Sequence, residues 1–186
     1  MIIPTIEIYK APTGRDLWFI KDLLEETPSW PVLPEISMIE WGAQFLTPGG
    51  TFFDIGAGFG QFSIVYGELG HTVGAFEEDP DLFRCLHAGM ILNDTPGWCL
   101  SKTLNNEDPT ETSTRVDRLG LYPTFIRIAV PNPLEVLQGA VSMISIAKPT
   151  LLIKGLSDHV PAYLRYTHNY STTDVGGDYM LSLRVP

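Results

Sequence analysis

The sequence predicts an α/β protein in which a mostly parallel β-sheet carries helices on both faces and ends in an antiparallel strand. Short runs of β-branched and aromatic residues, bounded by glycine or proline, alternate with apolar residues at helical spacing. The helical patterns are about 10 to 14 residues long, which is enough for the crossover that joins two parallel strands. The last segment, 179–185, alternates apolar and polar residues, and we predict it as the antiparallel strand.

The first 48 residues are expected to form an N-terminal helical segment of a single domain, 1–186. A capping box at Thr13–Asp16 precedes apolar residues that recur at helical spacing over the next ten positions, which predicts a first helix. A second helix is expected to begin at Pro34, because proline is favoured in the first turn. The remaining residues, 49–186, are expected to form the core of alternating strands and helices.

Within this core the predicted elements follow one another closely. Strands are predicted at 51–55, 72–76, 98–103, 124–130 and 150–153. Helices are predicted at 60–69, 80–92 and 133–146, the last two capped by Asp79 and Asn132. The polar, turn-rich stretch 105–114 is expected to be a surface loop.

The composition indicates a globular protein and argues against several classes of partner. The chain has 22 acidic and 12 basic residues, and a net charge of -10 repels phosphate backbones and anionic lipids. We therefore expect neither nucleic acid nor a membrane as partner. Cys85 and Cys99 are too few for a disulfide framework and lack the spacing of a zinc site. Because His71, His87 and His168 also have no metal-ligand partner at a telling spacing, no metal is expected. With no visible secretory signal at the N-terminus, a cytoplasmic location is expected.

A glycine turn between a strand and a helix is the most informative motif. In TFFDIGAGFGQFS, Asp54 stands at the strand tip and is followed by Gly56, Gly58 and Gly60. Three glycines in five residues predict a tight turn whose backbone approaches a ligand. Their spacing differs from the dinucleotide fingerprint, and an acid at the strand tip would oppose a phosphate. The motif therefore favours a cationic or hydroxyl-bearing ligand.

A second acid closes the next predicted strand. Glu77 lies 21 residues after Gly56, where a carboxylate is placed to accept both hydroxyls of a ribose. We predict a nucleoside site at the switch point of the sheet from the order of these features, which is a strand, a glycine turn, a helix, a second strand and an acid. The alternative is that the glycines form an ordinary tight connection, with Glu77 one of several solvated acids beside Glu78.

These stretches, in this order, resemble the FkbM-type S-adenosylmethionine-dependent methyltransferases, which have the Rossmann-like class I methyltransferase fold. The resemblance covers residues 33–153 and rests on FFDIGAGFGQFS, GHTVGAFEEDPDLFRCL, ILN, TRVDRL, LEVLQGA and KPTLLI. It implies that the cofactor is S-adenosyl-L-methionine.

The resemblance also implies which residues bind this cofactor. The residues it assigns are Asp54, Gly56, Ala57, Gly58, Gly60, Glu77 and Asn93. The glycine turn would pass under the methionine part, Asp54 would support that end, and Glu77 would hold the ribose hydroxyls. Asn93 would lie near the site. We expect Asp54 and Glu77 to be replaceable without loss of the fold.

The chain departs from the family where acids are expected on the reactive face. Arg127 replaces a lysine, Ala129 an aspartate and Pro131 a glutamate, and Lys154 stands where an acid often closes the later strand. These changes remove a proton acceptor that an alcohol substrate would need. They also predict that Arg127 lacks its usual carboxylate neighbour.

Two functions therefore remain open. The first is methyl transfer, expected to be O-methyl transfer to an unknown small molecule or sugar-like substrate. Asp158 and His159, just beyond a predicted strand, are candidates to replace the missing acids. The second is a catalytically weak or inactive methyltransferase-like module that binds the cofactor or a protein partner. The sequence leaves the catalytic residues and the oligomeric state open.

Overall fold

The computed structural model describes residues 6–20, 35–107, 113–155 and 157–185. The strands are β1 (Ile6–Lys10), β2 (Asp16–Ile20), β3 (Thr51–Ile55), β4 (Thr72–Phe76), β5 (Gly97–Leu100), β6 (Thr103–Leu104), β7 (Ser113–Thr114), β8 (Phe125–Ile128), β9 (Thr150–Lys154), β10 (Tyr170–Gly176) and β11 (Tyr179–Arg184). The helices are α1 (Ile36–Ala43), α2 (Gln61–Glu68), α3 (Pro80–Leu92), α4 (Pro133–Gln138), α5 (Val141–Ala147) and α6 (His159–His168).

The main sheet has seven strands in the order β10-β11-β9-β8-β3-β4-β5. The strands from β9 to β5 pair in parallel, and β11 lies antiparallel between β9 and β10. The mostly parallel sheet and its final antiparallel strand are confirmed. The strand order reverses at β3, which has β4 on one side and β8 on the other. A crevice for a ligand is expected above the carboxyl ends of these strands.

The sheet is covered on both faces, because its central strands are apolar on both sides. In β3, Phe52 packs against Tyr66 of α2 with ring centroids 4.8 Å apart, while Phe53 packs against Trp98 on the opposite face. Residues of α1, α2 and α3 are buried with Phe52, and residues of α4, α5 and α6 with Phe53. A strand buried on both faces reads as a continuous apolar run, which is why TFFDI was recognisable in the sequence.

The first helix predicted near the N-terminus is wrong over the residues that the structure describes. Asp16–Ile20 is strand β2, paired antiparallel with β1. Leu17 and Phe19 are buried and Trp18 is exposed, so the side chains alternate with the period of a strand. The rest of that predicted helix and Pro34 lie in 21–34, outside the described residues. Within its described part, the expected helical segment 1–48 is a β-hairpin followed by α1.

The predicted helix 133–146 is two helices, which meet at Gly139 and Ala140. A Cβ at Gly139 would lie 2.0 Å from the backbone oxygen of Asn105, so the two segments approach closely here. Asp117 caps the second helix by accepting the backbone N–H groups of Ser142 and Met143. A side chain from a distant segment therefore starts a new helix inside a continuous sequence pattern.

Other predicted elements are confirmed with small shifts. Helix α3 spans the predicted residues, and Asp79 Oδ1 accepts the backbone N–H groups of Asp81 and Leu82. The predicted strand 98–103 is divided between β5 and β6. Helix α6 and strand β10 were not predicted. None of the described helices is both long and apolar enough to cross a membrane.

Candidate functional site

A cavity of about 800 Å³ opens at the carboxyl ends of β3, β4, β8 and β9. It lies at the switch point of the sheet, where the order of the strands reverses. Its lining includes Gly56, Ala57 and Gly58 after β3, Glu77 after β4, Ala129 to Asn132 after β8, Lys154 at the end of β9, and Glu35 before α1. The turn, Glu77 and the reactive face singled out in the sequence are thus brought together in one cavity.

The three glycines of the turn serve different purposes. All have positive φ angles, 76° for Gly56, 58° for Gly58 and 94° for Gly60, which glycine adopts most readily. A Cβ at Gly56 would lie 2.3 Å from the backbone oxygen of Ala129, so this glycine lets β3 and β8 approach each other. A Cβ at Gly58 would meet no atom of the described residues within 4 Å. Gly58 therefore presents open backbone to the cavity.

Glu77 is held beside this open backbone. Its Oε2 accepts the backbone N–H of Gly58 at 2.7 Å, and its Oε1 accepts that of Asp79 at 2.9 Å. Burial raises the pKa of Glu77, and the two N–H donors oppose that rise. A carboxylate oxygen accepts up to two hydrogen bonds, so each oxygen keeps one acceptor position with respect to the residues that the structure describes. The geometry suits a ligand with two adjacent hydroxyls.

Asp54 lies beneath the turn and does not line the cavity. Its side chain is fully buried, with Oδ2 accepting from the Ser63 hydroxyl at 2.7 Å and Oδ1 accepting from Arg127 at 2.8 Å. Asp54 is therefore part of a buried ion pair. This position does not support the expectation that Asp54 can be replaced without loss of the fold. Removing Asp54 would leave the buried guanidinium of Arg127 without its closest carboxylate.

Arg127 has two carboxylate neighbours, so the expectation that it lacks one is wrong. Its Nη1 donates to Asp54 and to the backbone oxygen of Gly56, and its Nη2 donates to Glu35 at 3.2 Å. Its Nε donates to the Tyr179 hydroxyl at 3.1 Å. Burial opposes its charge, but the nearby acids, Asp54 first, raise its pKa. Arg127 thus joins β3, β8, β11 and the residue before α1.

Glu35 is the residue of this cavity that sequence reasoning missed. Its Oε1 accepts from Lys154 Nζ and from the Tyr179 hydroxyl, and its Oε2 accepts from Arg127. Burial raises the pKa of Glu35, but the charges of Arg127 and Lys154 outweigh burial and lower it. The strands of the reactive face do lack acids, yet a carboxylate from another segment reaches the cavity. The sequence carries only a weak signal for Glu35, because an acid at the start of a helix is common.

Asn93 does not line the cavity, because it lies at the far end of α3. Its Oδ1 accepts the backbone N–H of Trp18, and its Nδ2 donates to the backbone oxygens of Trp18 and Gly89. Arg15 also donates to its backbone oxygen. Asn93 attaches the N-terminal hairpin to α3, and the expectation that it lies near the cofactor site is not supported by this position.

We expect Asn93→Ala to lower the free energy of unfolding by about 1–3 kcal/mol, because backbone groups of Trp18 and Gly89 would lose their buried partner. Affinity for S-adenosylhomocysteine should not change. Urea unfolding and calorimetric titration measure the two quantities. Arg84→Ala, on the exposed side of the same helix, serves as control. A lower affinity for S-adenosylhomocysteine without a loss of stability would indicate that Asn93 contributes to the cofactor site.

Asp158 and His159 are not brought to the cavity. Both are exposed and stand at the start of α6, and neither belongs to the cavity lining. They therefore do not replace the missing acids in this structure. Among the described residues no group of three or more His, Cys, Asp or Glu side chains is arranged to hold a metal ion.

Several of the solved structures similar to this chain are methyltransferases. A 16S rRNA methyltransferase from T. thermophilus, in complex with AdoMet and guanosine, has 15% identity and a TM-score of 0.61, covering 100% of this chain and 52% of that one. A tRNA methyltransferase from Pyrococcus abyssi, in complex with S-adenosyl-L-homocysteine, has 12% identity and a TM-score of 0.60, covering 95% and 43%. Magnesium protoporphyrin IX methyltransferase from Synechocystis PCC 6803, with bound SAM, has 13% identity and a TM-score of 0.59, covering 82% and 78%.

These likenesses establish the fold. The chain has the Rossmann-like fold of S-adenosylmethionine-dependent class I methyltransferases, as the sequence predicts. It spans about half the length of the first two structures. Comparisons with protein-family models and with curated proteins gave no match.

The expectation that nucleic acid is excluded as a partner is wrong. Two of the similar structures are RNA methyltransferases, so this fold occurs in enzymes that act on nucleic acid. The net charge of -10 is a sum over the whole chain and does not say where cations lie. Lys102, Arg127 and Lys154 all line the cavity despite that sum.

Proposed function

We propose that this chain is an S-adenosyl-L-methionine-dependent methyltransferase that binds its cofactor in the cavity at the switch point. The observation that carries the proposal is Glu77, whose two oxygens are oriented by the backbone N–H groups of Gly58 and Asp79. Each oxygen keeps an acceptor position for a ribose hydroxyl. The open backbone of Gly58 lies next to it, where a ligand can approach closely.

The residues of the cavity fit this cofactor by their chemistry. Glu77 supplies acceptors for the ribose, and Phe76, Leu82 and Leu104 supply an apolar lining for an aromatic base. Gly56 and Gly58 contribute backbone without side chains to the turn. Of the residues that the resemblance assigns, we propose direct contact for the turn and Glu77 only, with Asp54 acting through Arg127.

The cofactor, when bound, supplies an electrophilic methyl group on a sulfonium. The chain has to orient the acceptor atom toward that methyl group and exclude water from it. Polar groups on the reactive face that can meet the acceptor include the Asn132 amide and the Glu135 carboxylate. Asn132 Nδ2 donates to Glu135 Oε1 at 2.6 Å, which positions a polar group at the cavity wall.

For the acceptor we propose a hydroxyl of a small or sugar-like molecule, in keeping with the FkbM-type resemblance of the glycine turn and of 134–140. The solved structures of this fold act on RNA and on a tetrapyrrole, so RNA belongs among the acceptors to be tested. The second candidate is a cofactor-binding module with weak or no catalysis. It is favoured by the absence of acids at Ala129 and Pro131 on the strand ends.

We expect calorimetric titration of the purified chain with S-adenosylmethionine to give saturable binding of one equivalent. Methyl transfer is then followed with a radiolabelled cofactor and three extracts, which hold small molecules, RNA and protein. Label in one extract identifies an enzyme and its class of acceptor, whereas binding without transfer identifies the module. If titration with millimolar cofactor releases no heat, both the enzyme and the cofactor-binding module are contradicted.

A further inference from the structure

Two acids of the chain are candidates to meet the amino-acid end of the cofactor, and the structure separates them. The resemblance implies Asp54, the acid at the tip of β3. We infer instead that Glu35, with Lys154 beside it, binds the ammonium and carboxylate groups of that end. The inference rests on the proposed function, and it assigns a subsite to a residue outside every motif of the sequence.

Asp54 is not available to a ligand. Its side chain has no exposed surface, and Ser63 and Arg127 each take one of its oxygens. The backbone oxygen of Gly56, which belongs to the turn, already accepts from Arg127 at 3.1 Å. The guanidinium therefore stands between the turn and Asp54, and Asp54 cannot serve as the acceptor for a ligand ammonium.

Glu35 is the acid that faces the cavity on this side. Arg127 donates from Nη1 to Gly56 and from Nη2 to Glu35, so one guanidinium separates Glu35 from the turn. A carboxylate has about four acceptor positions, and three are taken by Arg127, Lys154 and Tyr179. Among the described residues one position is left without a donor, on Oε2. The neighbouring cations keep Glu35 ionised, since they lower its pKa.

Lys154 supplies the complementary charge. Its side chain is 44% exposed at the cavity wall, and Glu35 takes one of its three N–H donors. Among the described residues no other acceptor is hydrogen-bonded to the remaining two, and these can point toward a ligand carboxylate. A carboxylate and an ammonium side by side match the zwitterion of an amino acid, with each charge next to its opposite.

Glu35 and Glu77 then divide the recognition of one ligand. Both line the same cavity, with the glycine turn between them. Glu77 would meet the ribose, which every adenosine derivative carries. Glu35 and Lys154 would meet the amino-acid end, which S-adenosylhomocysteine carries and 5′-methylthioadenosine lacks. The two nucleosides therefore test the two ends separately.

We expect Glu35→Gln to weaken binding of S-adenosylhomocysteine by at least about tenfold, because a charge-assisted hydrogen bond is lost. Affinity for 5′-methylthioadenosine should stay within about twofold. Lys154→Met should show the same selectivity through the carboxylate. Both affinities are measured by calorimetric titration, and thermal unfolding shows that each variant is folded.

Glu40→Gln is the matched control, because Glu40 lies on α1, carries the same charge and is not part of the cavity lining. It should change neither affinity. The inference is overturned if the Glu35 and Lys154 variants weaken both nucleosides equally, or weaken neither. If the unaltered chain binds neither nucleoside, the proposed function fails and this inference fails with it.

Discussion

Arg127→Met is expected to lower the free energy of unfolding by about 3–5 kcal/mol, the cost of leaving a buried charge without its partner. Asp54 is fully buried, and its Oδ1 is paired only with Arg127 among the contacts of the described residues. The substitution also removes the guanidinium from the ring of Phe62, which lies 4.3 Å from it. Urea unfolding followed by far-ultraviolet circular dichroism measures the loss.

The control is Arg165→Met, which removes the same charge from the exposed surface of α6 and should cost less than about 0.5 kcal/mol. The double variant Asp54→Leu with Arg127→Met should be less destabilised than the sum of the two single variants, since neither charge is then left unpaired. Additive losses would show that the ion pair between Asp54 and Arg127 is not what stabilises this region.

Glu77→Ala is expected to weaken binding of S-adenosylhomocysteine and of 5′-methylthioadenosine by at least about tenfold each, because both carry the ribose. The loss has two sources: the ribose loses its acceptors, and the backbone N–H groups of Gly58 and Asp79 lose theirs. Calorimetric titration measures both affinities. This common loss distinguishes Glu77 from Glu35, whose replacement should affect only the ligand with an amino-acid end.

Asp81→Asn is the matched control for Glu77, because it removes one charge from the same acidic stretch outside the cavity. Unchanged affinity in Glu77→Ala would show that the nucleoside binds elsewhere.

The pH dependence of nucleoside binding adds a second test of Glu77. Since burial raises the pKa of Glu77, its protonation, and with it the loss of affinity, should occur at a higher pH than for an exposed glutamate.

The nucleoside half of the site could be predicted from the sequence because its determinants are local. Gly56, Gly58 and Gly60 lie within five residues, and Glu77 ends the neighbouring parallel strand. Parallel strands bring their carboxyl ends to one edge, so two strand tips read from the sequence must be neighbours in space. The hydrogen bond from Gly58 to Glu77 shows that the segments following β3 and β4 are in direct contact.

The other half could not be predicted, because its contacts join segments far apart in the chain. Glu35 is 92 residues from Arg127, 119 from Lys154 and 144 from Tyr179. Local spacing carries no information about such pairs. Sequence position near a strand end favours Asp158 and His159 as replacements for the missing acids, but in the structure both lie at the start of α6.

Hydrophobic periodicity had a related limit at β2. Leu17 and Ile20 fit a helical stripe, and Leu17 and Phe19 fit one face of a strand equally well. The segment forms a strand because it pairs with β1 and because Asn93 makes two hydrogen bonds with the backbone of Trp18. Partners outside the segment, not its own pattern, determine the outcome.

The sequence by itself determined the α/β class, the order of the core elements and the position of the glycine turn beside Glu77. These follow from the periods of strands and helices and from the conformations that glycine permits, which are properties of neighbouring residues. Only the tertiary structure decided that Asp54 supports the fold, that Asn93 holds the hairpin and that Glu35 enters the cavity. The direction in which a polar side chain points depends on the donors and charges packed around it, and folding brings those from distant parts of the chain.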